Sequence, residues 1–247
     1  MASRAEKRKQ YKESVYRDLE RIIQSHIRRN NDPILKEHIR IVSEWQSMRI
    51  GQTYADVAAT ERYDLALAYF KDDMYGAKDY SKRDSDVKKV YPIVERIMPN
   101  RLFYILVFIM ELNALSMELD EAQAIELLSM GVIDNITYDN YAEAYRNSAS
   151  RADRTRQIDL VLEVGSELDK LMGKNYLGGF LKISHKPAHA LGLGELHEFL
   201  ERGYTAFMKM KGAKEFIKVI RTREDIILEN IYTHKANPFE VEKVAIK

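Results

Sequence analysis

With 247 residues, 45% of them apolar and 31% charged, the chain has the material for a real hydrophobic core, which excludes a disordered polymer. Five prolines and eleven glycines are too few for the frequent turns of a sandwich or barrel, so the expected class is all-α: a single globular bundle of about nine or ten helices over residues 1–247, with 1–10 as a flexible basic N-terminus. The absence of cysteine removes disulfides, thiolate zinc sites, iron–sulfur clusters and cysteine nucleophiles, and no cofactor is expected.

The start, Met1-Ala-Ser-Arg-Ala-Glu-Lys-Arg-Lys9, has no apolar signal core behind it, and a cytoplasmic location is the expectation. Residues 8–29 carry Tyr11, Val15, Leu19, Ile22 and Ile23 at spacings of three and four, which predicts an amphipathic helix ending at Asn30-Asn31. Asp32-Pro33 then supplies an N-cap with proline at the first helical position, for a helix through Trp45 to about Ile50 that Gly51 ends. Ala55 to Ala59 suits one helical turn, and Thr60 suits the cap of a helix carrying Tyr63, Ala66, Leu67, Phe70 and Met74 on one face. Asp73 falls on the rim of that stripe and Asp72 points away. Gly76 is placed to stop the helix, and a charged loop with Asp79 and Arg83 leads to a further helix, capped by Asp84 or Ser85, kinked at Pro92 and reaching Met98.

The most apolar run, Leu102 to Met110, is shorter than the roughly 20 residues of a membrane-spanning helix, so it reads as a buried helix over 100–118 and no transmembrane segment is expected. Asp120 is placed to cap a separate short helix, Glu121 to Met130, closed by Gly131. Thr137 suits the cap of the next, to about Ser148. Residues 151–172 form an amphipathic helix whose first turns carry Arg151, Arg154 and Arg156. Those cations oppose the helix dipole and call for acidic or anionic partners. Helices over about 175–185, 195–210 and 213–234 complete the chain. Pro187, between His185 and His189, predicts a break in helical geometry there.

Net charge is only +1, but summing Lys and Arg against Asp and Glu gives +5 over 1–40, −8 over 101–169 and +5 over 170–247. Basic ends packed on an acidic middle explain this best; a basic face for an anionic partner, including RNA or the ribosome, is the alternative. Three groups of residues are candidates for chemistry. The carboxylates Asp73, Glu111 and Glu118 are candidate metal ligands, although the Glu-x-x-His pairs of di-metal bundles are missing. Asp73, Tyr75, Asp79, Arg83, Arg151, Arg154 and Arg156 are candidate partner- or anion-binding residues, since guanidinium forks match oxyanions; internal ion pairing is the simpler expectation for the arginines. His185, His189, Glu195 and His197 could chelate a metal, but with Pro187 interposed they read as surface side chains in a turn. No glycine-rich phosphate loop, Gly-x-Ser-x-Gly or kinase signature is present.

The stretch Tyr69-Phe-Lys-Asp-Asp-Met-Tyr75 resembles the heptapeptide of the FFLEELY-motif protein family, a group of uncharacterised proteobacterial proteins of about this length. Gly76 to Asp86, Leu112-Asn-Ala-Leu-Ser-Met-Glu-Leu-Asp120, Arg151-Ala-Asp-Arg-Thr-Arg-Gln-Ile-Asp159, Ala190 to Gly194 and Phe199 to Gly203 are similar to the family's further markers, over residues 45–230. The chain departs from the heptapeptide at Tyr69, Lys71, Asp72, Asp73 and Met74. The resemblance implies a helical fold and carries over no catalytic residue. The expected function is therefore non-enzymatic binding of a macromolecular or anionic partner, with a protein partner or homo-oligomer possible. A metal-dependent carboxylate-bundle enzyme and an RNA- or ribosome-associated protein are the alternatives.

Overall fold

The structure is a computed structural model that describes residues 4–74, 100–172, 176–190 and 194–242. Among these the chain forms α-helices and one π-helical turn, and no strand. The helices are α1 (Arg4–Asn31), α2 (Pro33–Thr53), α3 (Ala55–Ala58) and α4 (Asp64–Ala68), the π turn (Tyr69–Met74), then α5 (Asn100–Ser129), α6 (Tyr138–Ser148), α7 (Arg151–Met172), α8 (Tyr176–Ala190), α9 (Gly194–Met210) and α10 (Lys214–Tyr232). The all-α bundle expected from composition is thus the observed architecture.

α5 is the centre of the bundle: α1, α2, α6 and α7 all pack on it, and α10 lies on α6 and α7. It is one continuous helix of 30 residues, which corrects the expectation of two helices divided at Asp120. Asp120 does not cap a backbone; its Oδ1 accepts a hydrogen bond from Gln46 Nε2 of α2, 3.1 Å away, so the chain has no reason to break there. By length and composition α5 could cross a membrane. Its carboxylates, however, are gripped by neighbouring helices: Glu118 by Arg21 at 2.5 and 2.9 Å, Glu121 by Arg28 at 2.7 and 3.3 Å, Glu111 by Arg156 at 2.8 and 2.9 Å. The basic N-terminal helix and the acidic middle are therefore packed on each other, as the charge distribution predicts. α1 begins at Arg4, so the segment expected to be a flexible tail is helical from that residue onward.

Local signals account for the starts of α2 and α6. Asp32 accepts from the amides of Ile34 and Leu35, with Pro33 at the first position of α2, and Thr137 forms a reciprocal capping box with Asn140. Gly51 does not stop α2, which runs on to Thr53. Thr60 does not cap through its side chain either; its carbonyl accepts from Tyr63 and Asp64 and α4 starts at Asp64. Arg62 then reaches across to the end of α9, donating to the carbonyls of Met210 at 2.6 Å and Gly212 at 3.2 Å. α8 continues through Pro187. Proline deprives the Ile183 carbonyl of its helical donor, and Ile183 is 80% exposed, so water can take the place of the missing N–H.

The helix over the FFLEELY-like stretch changes from α to π after Ala68. π turns are rare and occur often at functional sites. This one is held between α2 and α9. Tyr69 packs on Phe199 with ring centroids 5.3 Å apart, and it lies over Gly203, where a Cβ would come within 2.8 Å of the ring. Two of the family-like segments, 69–75 and 199–203, thus meet face to face. Gly203→Ala is expected to push Tyr69 off Phe199 and destabilise the chain by about 1–3 kcal/mol, measurable by denaturant unfolding with loss of near-ultraviolet tyrosine dichroism. The expected helix from Asp84 to Met98, with its proline kink, lies outside the described residues.

Candidate functional site

The apolar stripe of α2, Ile39, Val42 and Ile50, is interrupted at helical spacing by Gln46, which is buried. α10 shows the same anomaly, with Arg223 among Val219, Ile227 and their neighbours, and Glu224 between Ile220 and Leu228. Polar groups on core-facing positions are costly unless partnered. Gln46 and Glu224, together with side chains of α5, α6 and α7, line a cavity of about 50 Å³, enough for about three to five waters or a small ion, taking about 10–15 Å³ for one water.

One wall of the cavity is electrically closed. Glu224 accepts from Arg49 Nη1 at 3.0 Å and from the Tyr54 hydroxyl at 2.8 Å. Burial, and then the neighbouring Glu224 charge, push the Tyr54 phenol well above its ordinary pKa, so it stays protonated and donates. The floor is aromatic. Tyr141 stacks on Trp45 at 3.8 Å, and the Tyr145 ring lies 3.9 Å from the Arg154 guanidinium carbon.

The opposite wall is not closed. Arg154 is 1% exposed and donates from Nη2 to Gln123 Oε1 at 3.1 Å and Ser148 Oγ at 3.2 Å. Its Nε has no hydrogen-bond partner, and among the described residues no carboxylate lies within ion-pairing distance of it. Asp120 feels its field, but burial is the larger effect and raises the Asp120 carboxyl above the ordinary aspartate value, with the Gln46 hydrogen bond and the Arg29 and Arg154 charges pulling the other way. Two guanidiniums, of Arg49 and Arg154, and two carboxylates, of Asp120 and Glu224, thus line the cavity, and of the two guanidiniums Arg154 is the one without a carboxylate in direct contact among the described residues.

Of the described arginines singled out from the sequence, Arg154 alone faces this cavity. Arg151 pairs with Glu229, and Arg156 with Glu111 and Glu163. Glu111 and Glu118, candidate metal ligands from the sequence, are each held by an arginine fork, of Arg156 and Arg21 respectively. The Asp73 side chain and the whole of Tyr75, Asp79 and Arg83 lie outside the described residues. Phe70, from the π turn, does reach the cavity. So do Asp120, Arg154 and Gln157, which places three of the family-like segments, 69–75, 112–120 and 151–159, around one space. Gln46, Arg49, Tyr145 and Glu224 were not singled out; their signal was a polar or hydroxyl-bearing residue on a core-facing stripe.

The histidines were expected to be surface side chains in a turn; His185 and His189 are exposed but helical, and His197 is buried. Because α8 is unbroken at Pro187, His185 and His189 stand one turn apart with ring centroids 4.5 Å apart, and His197 of α9 lies 5.2 Å from His185. The exposure of His197 is 4%. A larger groove of about 410 Å³ beside Tyr104 and Phe108 is open to solvent, and its charges pair locally, Arg221 with Asp159 and Lys170 with Glu167.

Fold and cavity together define an all-α bundle protein with a polar, charge-lined chamber at its core. The chain belongs to the family described as Domain of unknown function (DUF8198), which matches residues 25–238. No curated protein and no solved structure matches the chain.

Proposed function

We propose that this protein is a non-enzymatic binding protein that takes a small oxyanion, of carboxylate, bicarbonate or phosphate size, into the central cavity, with Arg154 as the receiving group. The carrying observation is the 1% exposed Arg154, which has no carboxylate in direct contact among the described residues and presents an unpartnered Nε on the cavity wall. A buried guanidinium without an anion is expensive, and an oxyanion accepting from Nε and Nη would supply both the charge and the missing hydrogen bond. The Tyr145 face and the Gln123 amide orient the fork. Gln123 Nε2, itself buried and unpartnered, offers a further donor beside it.

Thermal unfolding of the full chain tests this, with acetate, bicarbonate, phosphate and sulfate compared at constant pH and ionic strength against chloride. The anion that fits stabilises the wild type by about 2.7 kcal/mol at a hundredfold excess over its Kd. Arg154→Met, in which an apolar chain of similar length replaces the cation, loses that response. Asp120→Asn removes the carboxylate competing for the same field while keeping its hydrogen bond from Gln46, so anion binding tightens. A wild type indifferent to all four anions, or an Arg154→Met variant that responds as the wild type does, overturns the proposal.

A further inference from the structure

We infer that His185, His189 and His197 form a binding site for a late first-row divalent metal ion, Zn²⁺ in type, on α8 and α9. The site shares no residue with the central cavity and does not depend on the anion-binding reading. One ring nitrogen of each histidine lies within 4.8 Å of the others. A tetrahedral ion with bonds of about 2.0–2.1 Å holds its nitrogens roughly 3.3 Å apart. The cluster therefore closes on an ion by side-chain rotation of His185 and His189, both of which are exposed.

The buried member is already arranged as a ligand. His197 Nε2 lies 3.0 Å from the Leu181 carbonyl and 3.3 Å from the Ser184 hydroxyl. A carbonyl only accepts, so Nε2 carries the proton and Nδ1 carries the lone pair. Nδ1 is buried and, among the described residues, has no hydrogen bond; Glu201 Oε1 lies 3.6 Å from it. An imidazole whose second nitrogen donates to a backbone carbonyl is the usual outer support of a metal-bound histidine, fixing tautomer and ring orientation together. The Leu181 carbonyl is on α8, so the same helix both supplies two ligands and orients the third.

The geometry of His189 depends on a residue chosen for its lack of a side chain. A Cβ at Gly194 would come within 2.8 Å of His189 Nδ1 and 2.9 Å of Cε1. Glycine at the start of α9 lets the His189 ring lie against the backbone beside His197. The donor set decides the metal. Three neutral imidazoles, with no thiolate in the chain, suit Zn²⁺, Co²⁺, Ni²⁺ and Cu²⁺ and are a poor match for Mg²⁺ or Ca²⁺, which demand oxygen. A fourth position is left for water, for Glu201 or for an exogenous ligand.

The test uses the tag-free full chain, stripped with a chelator and titrated with Co²⁺. The expected result is one Co²⁺ per chain with visible ligand-field bands of tetrahedral intensity, displaced by one equivalent of Zn²⁺ and unaffected by excess Mg²⁺. His185→Ala and His189→Ala change exposed side chains, so helicity and melting of the metal-free chain remain those of the wild type. Each lowers Co²⁺ affinity by more than about 100-fold, above the 10- to 100-fold that loss of an outer partner costs. Gly194→Ala, which displaces the His189 ring without removing a ligand, weakens binding by a smaller factor. Failure to bind stoichiometric Co²⁺, or undiminished binding in both histidine variants, overturns the site.

Discussion

Asp56→Ala is expected to lower stability by about 3–5 kcal/mol, the cost of stripping the partner from a buried charge. Arg223 is 1% exposed and spends its guanidinium on Asp56 at 2.8 and 2.6 Å and on the Thr53 carbonyl at 2.7 Å. This one side chain ties α10 to the junction of α2 and α3, beneath the Tyr54 ring. Removing Asp56 leaves the cation buried with one carbonyl. Against a total stability of about 5–15 kcal/mol, the loss should lower the melting temperature by about 10 °C, at 2–4 °C per kcal/mol for a chain of this size. The double variant Asp56→Ala, Arg223→Met should recover most of it, because the penalty lies in the unpaired charge and not in the pair's own worth. If the double variant melts lower than the single, that account is wrong.

The same pair carries a pH signature. The hydrogen bond from Arg223 is the largest cause holding the Asp56 carboxyl below its ordinary pKa, with burial opposing it. A depressed folded-state pKa contributes stability that is fully present above the unfolded value of about 3.9 and is lost as pH falls through the lower folded value. The difference between wild type and Asp56→Ala should therefore be constant at neutral pH and shrink below about pH 4. Asp120 works in the opposite sense. Its raised folded-state pKa favours folding in acid, and that contribution is lost as pH rises through it.

The fold was legible in the sequence where a cap and a periodic stripe agree. Asp32-Pro33 starts α2, Thr137 starts α6, and Arg151–Met172 is bounded as its stripe predicts. It was misread where a local signal had been recruited elsewhere. Asp120 looks like a cap because aspartate at a polar step after an apolar run usually is one; here the carboxylate turns inward to Gln46 and the helix passes through. Gly51 and Pro187 look like stops, yet α2 runs on to Thr53 and α8 passes through Pro187, where the exposed Ile183 position lets water replace the missing donor. The cavity was half legible. Arg154 was singled out, but grouped with Arg151 and Arg156 by sequence proximity, and only packing separates one inward guanidinium from two that find carboxylates. The stronger signal, a polar side chain interrupting the buried stripe of a helix, was present at Gln46 and Glu224. His185, His189 and His197 were legible as possible ligands, but Pro187 predicts a break in the helix between the first two, which argues against a site.

Glu224→Ala should destabilise by about 3 kcal/mol, since it leaves Arg49, the buried Tyr54 hydroxyl and the cavity without the carboxylate they share. Glu224→Gln keeps an acceptor for Tyr54 and loses only the charge, so its cost should be smaller. The distinctive consequence is chemical rescue. With Glu224 truncated, Arg49 and Arg154 face the same enlarged space, and a small carboxylate can occupy the vacated position between a guanidinium and a phenol already oriented to donate. Acetate or formate should then stabilise Glu224→Ala more steeply than the wild type, with chloride at equal ionic strength giving no such gain. A matching rescue of Asp56→Ala is not expected, because Asp56 does not line the cavity. Specific rescue at Glu224 alone would mark the chamber as an anion receptor in its own right, whereas equal responses in both variants would reduce the effect to general screening of buried arginines.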